Sequence, residues 1–343
     1  MSRVAVLGAT GFVGRAVMEA LQREAHEVVA LRAPRLAPMA QDMADAFIRT
    51  SRFRQMLATE LDDVDAVINA AGDPRATVVE GEAKALVAAN GVLPGLIASV
   101  VTELPKQPRL VHVSSASVQG NAPVLDDRPA RLDDSFSAYS RSKVIGELLV
   151  LKHCPEAIVY RPPGVHAADR NVTQAVARLA RSPLSSVAKP ASSPTAQALL
   201  FNVADAIAFL GTTTLTPPSI VLHPSENLTT GGLLTALGGR TPRELPRWAA
   251  HTVLLGLTRA ERAAPRLAGH RRRLEMLWFG QAQASSWLTV AEWIPPADMD
   301  AWQDLGLQLA GTPTGKRRRP RTADRPLRHE VTSRSAGRTK DPG

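Results

Sequence analysis

A tyrosine and a lysine stand four residues apart in Tyr139-Ser140-Arg141-Ser142-Lys143. Residues 137 to 153 read as a helix, and that spacing puts both side chains on one face, one turn apart. The pairing has a chemical use. A phenol with an ordinary pKa of roughly 10 becomes a competent acid or base near neutrality when a neighbouring ammonium favours its phenolate. Val113-Ser114-Ser115-Ala116-Ser117-Val118 closes a predicted strand, where a hydroxyl would steady a substrate oxygen beside the tyrosine.

The second constellation is Gly8-Ala9-Thr10-Gly11-Phe12-Val13-Gly14, lying between an apolar strand over Arg3 to Leu7 and an amphipathic helix over Phe12 to Arg23. Glycine at those three places permits a tight turn and close backbone approach to a pyrophosphate resting on the helix N-terminus. A purely structural strand-to-helix turn is the alternative. The choice of dinucleotide is read where the next strand, Glu27 to Leu31, ends. An acidic residue there would accept from the adenosine ribose 2′-hydroxyl. The chain instead has Arg32, with Arg35 close behind, and a guanidinium suits a 2′-phosphate. NADP is therefore expected ahead of NAD, against the competing fact that 34 of the 41 basic residues are arginine.

These groups must be held by strands and helices. Asp65 to Asn69, Arg109 to Ser114 and Ala157 to Arg161 are short apolar runs that read as further buried strands, with helical patterns over 78 to 101 and 137 to 153 between them. Strand and helix in alternation predict an α/β fold, a doubly wound parallel sheet of the Rossmann type. Beyond Arg161 come Pro162, Pro163, Pro183, Pro190 and Pro194, with helical stretches near 171 to 181 and 203 to 210. The expected division is a dinucleotide domain over 1–170, to which later segments can return, and a smaller, mostly helical substrate domain over 171–310. All five tryptophans fall within 246 to 309 and read as core packing.

The net charge of +9 is unevenly placed. Residues 312 to 343 hold ten Lys/Arg against three Asp/Glu, which leaves +2 for the preceding 311. That tail lacks apolar periodicity and is rich in Arg, Pro, Ser and Thr, so a disordered basic extension over 311–343 is expected. No nucleic-acid partner is expected of the folded part. Docking of Lys316-Arg317-Arg318-Arg319-Pro320-Arg321 on anionic lipid or nucleic acid is the alternative to a solvated tail.

No run approaches the roughly 18 uninterrupted apolar residues of a membrane span, so no span is expected. The apolar N-terminus is interrupted by Gly8, Thr10, Gly11 and Gly14 and lacks a cleavage-site pattern, so a signal peptide is set aside and a cytoplasmic address expected. One cysteine, Cys154, gives no internal disulfide and no cysteine metal site, and no His pair has metal-ligand spacing. No metal is expected.

The motifs GATGFVG (8–14), NAAG (69–72), VSSASVQG (113–120), YSRSK (139–143) and RPPGVHA (161–167) occur in this order. Together they resemble the extended short-chain dehydrogenase/reductases, specifically the NAD-dependent epimerase/dehydratase family. The likeness is strong to about residue 170 and weaker through Asn202 to Ala206. The resemblance implies that Ser115 hydrogen-bonds the substrate oxygen, Tyr139 donates or accepts the proton, and Lys143 holds the nicotinamide ribose and lowers the pKa of Tyr139. Asn90 then matches the asparagine that supports this relay, with an ordinary helix polar residue as its alternative.

The same resemblance makes Gly8, Thr10, Gly11, Phe12, Val13 and Gly14 the phosphate turn and Asp42 and Met43 adenine contacts. It also gives Ala70, Ala71 and Gly72 the turn over the cofactor, and Pro162 and Val165 the loop beside the nicotinamide. Two features depart from the family pattern. The usual third strand is barely visible over Leu36 to Gln41, and Gln119 and His166 replace residues of the common motifs, which makes them candidate substrate contacts.

Hydride transfer at a carbinol or ketone carbon of a nucleotide sugar is the implied activity, with a homodimer implied as well. Two alternatives stand beside it: an NADP-dependent ketone or aldehyde reductase with the same triad, and a non-catalytic dinucleotide sensor or scaffold.

Overall fold

A computed structural model describes residues 1–75, 82–263 and 268–311. Six parallel strands organise them: β1 (Arg3–Leu7), β2 (Glu27–Leu31), β3 (Ala66–Asn69), β4 (Arg109–Val113), β5 (Ile158–Arg161) and β6 (Ile220–Leu222). Their spatial order is β6-β5-β4-β3-β1-β2. The chain leaves β1 to one side for β2 and crosses back to place β3 on the other, with Leu7 beside both Leu31 and Asn69. That reversal opens a crevice at the C-terminal ends of β1 and β3, where open α/β sheets bind ligands.

Alternation along each strand feeds two cores. Val4 and Val6 join Ile68 and Val111 beneath α1 (Phe12–Arg23) and α4 (Leu200–Thr212). Ala5 and Leu7 join Val67 and Leu110 on the opposite face, covered by α2 (Ala83–Glu103) and α3 (Ala138–His153). Helix α2 is long and apolar enough to cross a membrane by length and composition, but 78% of its apolar window is buried inside the fold. Its middle, Val87–Val92, widens into a π-helical turn.

The third strand of the family pattern is missing. Residues 32 to 40 have no regular structure and lead into a 3-10 turn, Gln41–Met43. Pro34 and Pro38 fall within this irregular segment and have no N–H to donate to a neighbouring strand. Two helices, Ala44–Thr50 and Phe53–Leu61, follow directly.

After β5 the chain builds a second layer without leaving the first. Gly164–His166 pairs in parallel with Gln197–Leu199, while α4 and β6 return to the large sheet. Helices Asn171–Arg181, Thr230–Gly238 and Met299–Gly311 enclose Leu233, Leu237, Trp302 and Leu305. Helices Arg247–Ala263 and Ala268–Phe279 pack through Leu254, Leu257, Leu274 and Trp278. Met1–Gly311 forms one compact unit. The expected tail lies outside the described residues. One tryptophan departs from the core reading: Trp278, Trp293 and Trp302 are buried, but Trp248 is 72% exposed.

Candidate active site

The glycine turn is built by steric necessity. Gly8 has φ +83°, and a Cβ there would lie 2.6 Å from the Ala71 nitrogen; a Cβ on Gly14 would lie 2.1 Å from the Gly8 carbonyl oxygen. Only glycine permits either approach. Gly11 caps α1 without a side-chain hydrogen bond, so the first-turn N–H groups face outward with no side-chain acceptor, beside exposed Thr10 and half-buried Phe12 and Val13. This cradle fits a dinucleotide diphosphate by backbone donors and the positive helix end.

The loop Ala70–Gly72 is pressed against that turn. The Ala70 N–H donates to the Leu7 carbonyl at 3.0 Å, and the Ala71 N–H donates to Asn69 Oδ1 at 3.1 Å. A Cβ on Gly72 would fall 2.7 Å from Asn90 Oδ1 and 3.5 Å from Lys143 Nζ, so this glycine brings the loop onto both side chains. Asn90 is fully buried in the π-helical turn of α2. Its Oδ1 accepts from the Asp73 N–H at 2.8 Å, and its Nδ2 donates to the Asp73 carbonyl and to Ser142 Oγ, each at 3.0 Å. Ser142 Oγ in turn donates to the Tyr139 carbonyl at 2.7 Å.

Tyr139 lies in the first turn of α3, which a reciprocal Ser137–Ser140 capping box starts. Burial pushes its phenol above the ordinary pKa; a hydrogen bond with the Ser115 hydroxyl and the charge of Arg170 pull it down, and Asp73 pushes it up. Lys143 is 6% exposed and donates to the Val113 carbonyl at 3.0 Å. Its pKa is drawn from 10.5 to about 8 by burial, with Glu147 opposing. Arg170 thus adds its positive field to the phenol, while the Lys143 ammonium is held on the Val113 carbonyl at the end of β4. Ser115 caps the 3-10 turn Ala116–Gln119, its Oγ accepting from the Ser117 N–H at 3.2 Å.

Arg170 was not singled out by the sequence. Its guanidinium lies 5.0 Å from the Phe12 ring centroid and donates to the Val165 carbonyl, joining the glycine turn to the loop after β5. Pro162 and Val165 are both buried in that loop, and the Pro162 carbonyl accepts from the Ala116 N–H at 2.8 Å. Another missed group is the ion pair beneath α3. Arg161 Nη2 lies 2.6 Å from Glu147 Oε2 with both side chains at most 1% exposed, and Ser114 Oγ donates to Glu147 Oε1 at 2.5 Å. Glu147 falls one turn after Lys143, on the same helix face, and that spacing was the available signal.

Other expected residues lie differently. Arg32 and Arg35 are exposed just past β2, and Arg32 has no ion pair among the described residues. Asp42 and Met43 are exposed on the Gln41–Met43 turn. Gln119 is turned away from a substrate role by its own hydrogen bonds: it is fully buried, its Nε2 donating to Asp126 Oδ1 at 2.6 Å and its Oε1 accepting from the Asp126 N–H at 2.9 Å. His166 is 3% exposed, 5.3 Å from the Trp302 ring, with Nε2 on Gln197 Oε1 at 2.9 Å and Nδ1 without a partner. Burial lowers its pKa from 6.5 to about 4, so the imidazole is neutral at physiological pH.

The model of the NAD dependent epimerase/dehydratase family matches residues 4–189. Among curated proteins, dTDP-4-dehydrorhamnose reductase of Mycolicibacterium smegmatis is 29% identical over 167 residues, which is 48% of this chain and 46% of that protein. The chain therefore spans about half the length of this relative. Ceramide reductase of Caulobacter vibrioides is 26% identical over 254 residues, 73% of this chain and 70% of that one. A crystal structure of dTDP-4-dehydrorhamnose reductase from Bacillus anthracis, solved in complex with NADP, superposes with TM-score 0.59 at 14% identity, covering 91% of this chain and all of that one.

Proposed function

The chain belongs to the NAD dependent epimerase/dehydratase family, and on that premise we propose that it transfers hydride between a nicotinamide dinucleotide and a carbinol or ketone carbon of a nucleotide sugar. One observation carries the reading: the Tyr139 phenol is hydrogen-bonded with the Ser115 hydroxyl, and Gly72, in the loop that Gly8 approaches, is packed against Asn90 and Lys143.

A bound nicotinamide dinucleotide would supply or accept the hydride. Gly8, Gly11 and Gly14 would hold its diphosphate against the N-terminus of α1, and Lys143 would donate to the nicotinamide ribose. In the reducing direction Tyr139 gives its hydroxyl proton to the carbonyl oxygen, and Ser115 hydrogen-bonds that same oxygen. Asn90 acts indirectly, holding the Asp73 backbone and, through Ser142, the first turn of α3. Arg32, exposed and unpaired by any described carboxylate, suits an adenosine 2′-phosphate and favours NADP.

Net reduction of a keto sugar is the form this support favours, because NADPH serves reduction and the Mycolicibacterium relative is named for it. A second reading is reduction of a lipid ketone. It is favoured by the Caulobacter relative, which matches over a larger share of both chains.

The test offers the purified protein NADPH or NADH with dTDP-4-dehydrorhamnose, UDP-sugars or long-chain ketones. Stoichiometric NADPH oxidation with a keto sugar is expected. Isomerised sugar without net cofactor change would replace reduction by epimerisation, and turnover of the lipid ketone alone would replace the sugar.

A further inference from the structure

Helix Arg247–Ala263 keeps an apolar side toward solvent. Trp248 is 72% exposed and Leu255 56%. Trp248, Thr252, Leu255 and Arg259 recur at helical spacing and so form one stripe. The opposite side is spent on packing, with Ala250, Leu254 and Leu257 against Leu274 and Trp278 of the next helix. A tryptophan left in water while Trp278, Trp293 and Trp302 are buried is an unmet hydrophobic contact.

Charge narrows what covers it. Arg247 and Arg259 are exposed on this helix, Arg259 within the stripe, and the stripe contains no carboxylate. The chain's own tail, with ten Lys/Arg against three Asp/Glu, carries the same sign as this stripe, as does the same stripe of a second copy, so neither complements it. Nucleic acid would answer the charge but offers nothing to Leu255. An anionic lipid surface answers both, since aromatic and aliphatic side chains enter the headgroup boundary while arginines meet phosphates.

We propose that helix Arg247–Ala263 docks on an anionic lipid bilayer, with Trp248 and Leu255 inserted at the headgroup boundary. The docking does not depend on the redox reading above. It does sit beside that site: Arg272 Nε donates to the Gly120 carbonyl at 2.6 Å and Gln281 Nε2 donates to the Gln119 carbonyl at 3.1 Å, which ties the helical pair to the turn that begins at Ser115.

The test is co-sedimentation of the full chain with vesicles of phosphatidylcholine plus phosphatidylglycerol, and of phosphatidylcholine alone, while tryptophan emission is followed. Binding to the anionic vesicles with a blue shift is expected, and weaker binding to the neutral ones. The double variant Trp248→Ser, Leu255→Ser, both positions being exposed, should keep its circular dichroism and partition about tenfold or more weakly. Trp248→Phe should keep binding and lose most of the blue shift. Replacing Lys316, Arg317, Arg318 and Arg319 by serine should leave the blue shift in place. Absence of binding to anionic vesicles, or equal binding by the double variant, overturns the proposal. So does binding or a blue shift abolished by the tail substitutions, or a lipid-free dimer that the double variant dissociates.

Discussion

Replacing Lys143 by methionine is expected to stabilise the fold near neutral pH while removing the group proposed to hold the cofactor ribose. The ammonium is 6% exposed, and burial draws its pKa from 10.5 to about 8. A displacement of that size corresponds to about 3 kcal/mol between the two protonation states. Methionine matches the stem and carries no charge to desolvate. It also gives up the 3.0 Å hydrogen bond to the Val113 carbonyl, a loss of about 1 kcal/mol. The net expectation is a gain of about 2 kcal/mol near neutral pH.

The pH dependence follows from proton binding. Between about 8 and 10.5 the unfolded chain keeps the lysine proton that the folded chain has released, so wild-type stability rises with pH across that window. The advantage of Lys143→Met is therefore full below about pH 8 and has vanished by pH 10.5. Urea unfolding of both proteins across this range measures it. A variant less stable than wild type near neutral pH, or an advantage that does not shrink as pH rises, would refute the reasoning.

Three further outcomes are expected. His166, with a folded pKa near 4 against 6.5 unfolded, makes stability fall as pH drops through that interval, because the unfolded chain takes up a proton the folded one refuses; His166→Asn should flatten that part of the acid-stability profile, and an unaltered slope contradicts the assignment. Glu147→Ala strands the buried Arg161 guanidinium and should cost about 3–5 kcal/mol in denaturant melts, with part recovered by adding Arg161→Met; a loss below about 1 kcal/mol would mean that the pair does not anchor α3. Gly14→Ala puts a Cβ 2.1 Å from the Gly8 carbonyl and should weaken NADPH binding, read by cofactor fluorescence, about tenfold or more; unchanged affinity would place the diphosphate elsewhere.

What the sequence made legible is what local geometry dictates. The glycine turn follows from backbone clearance within seven residues, and Tyr139 and Lys143 share a helix face because of their spacing. The doubly wound sheet follows from alternating apolar strands and helices, and the weak apolar pattern over Leu36 to Gln41 already marked the absent third strand. Contacts made across the fold were not legible. Arg170 reaches Phe12 and acts on Tyr139 through its charge only because the loop after β5 folds over the turn, and no spacing announces it. Gln119 looked like a substrate contact because its motif position is unusual, but Asp126 seven residues on occupies its amide. The return of α4 and β6 to the large sheet is hidden behind proline-rich punctuation, and Trp248 was indistinguishable from its buried counterparts until packing was known.

Hydride transfer coupled to a proton from Tyr139 is tested most directly with NADPH deuterated at the transferring C4 position and a ketone that wild-type protein reduces. One deuterium on the former carbonyl carbon is expected, with Tyr139→Phe binding NADPH as well as wild type and turning over about 100-fold to 10,000-fold more slowly. Product hydrogen drawn from solvent, or Tyr139→Phe reducing the ketone at the wild-type rate, would contradict it.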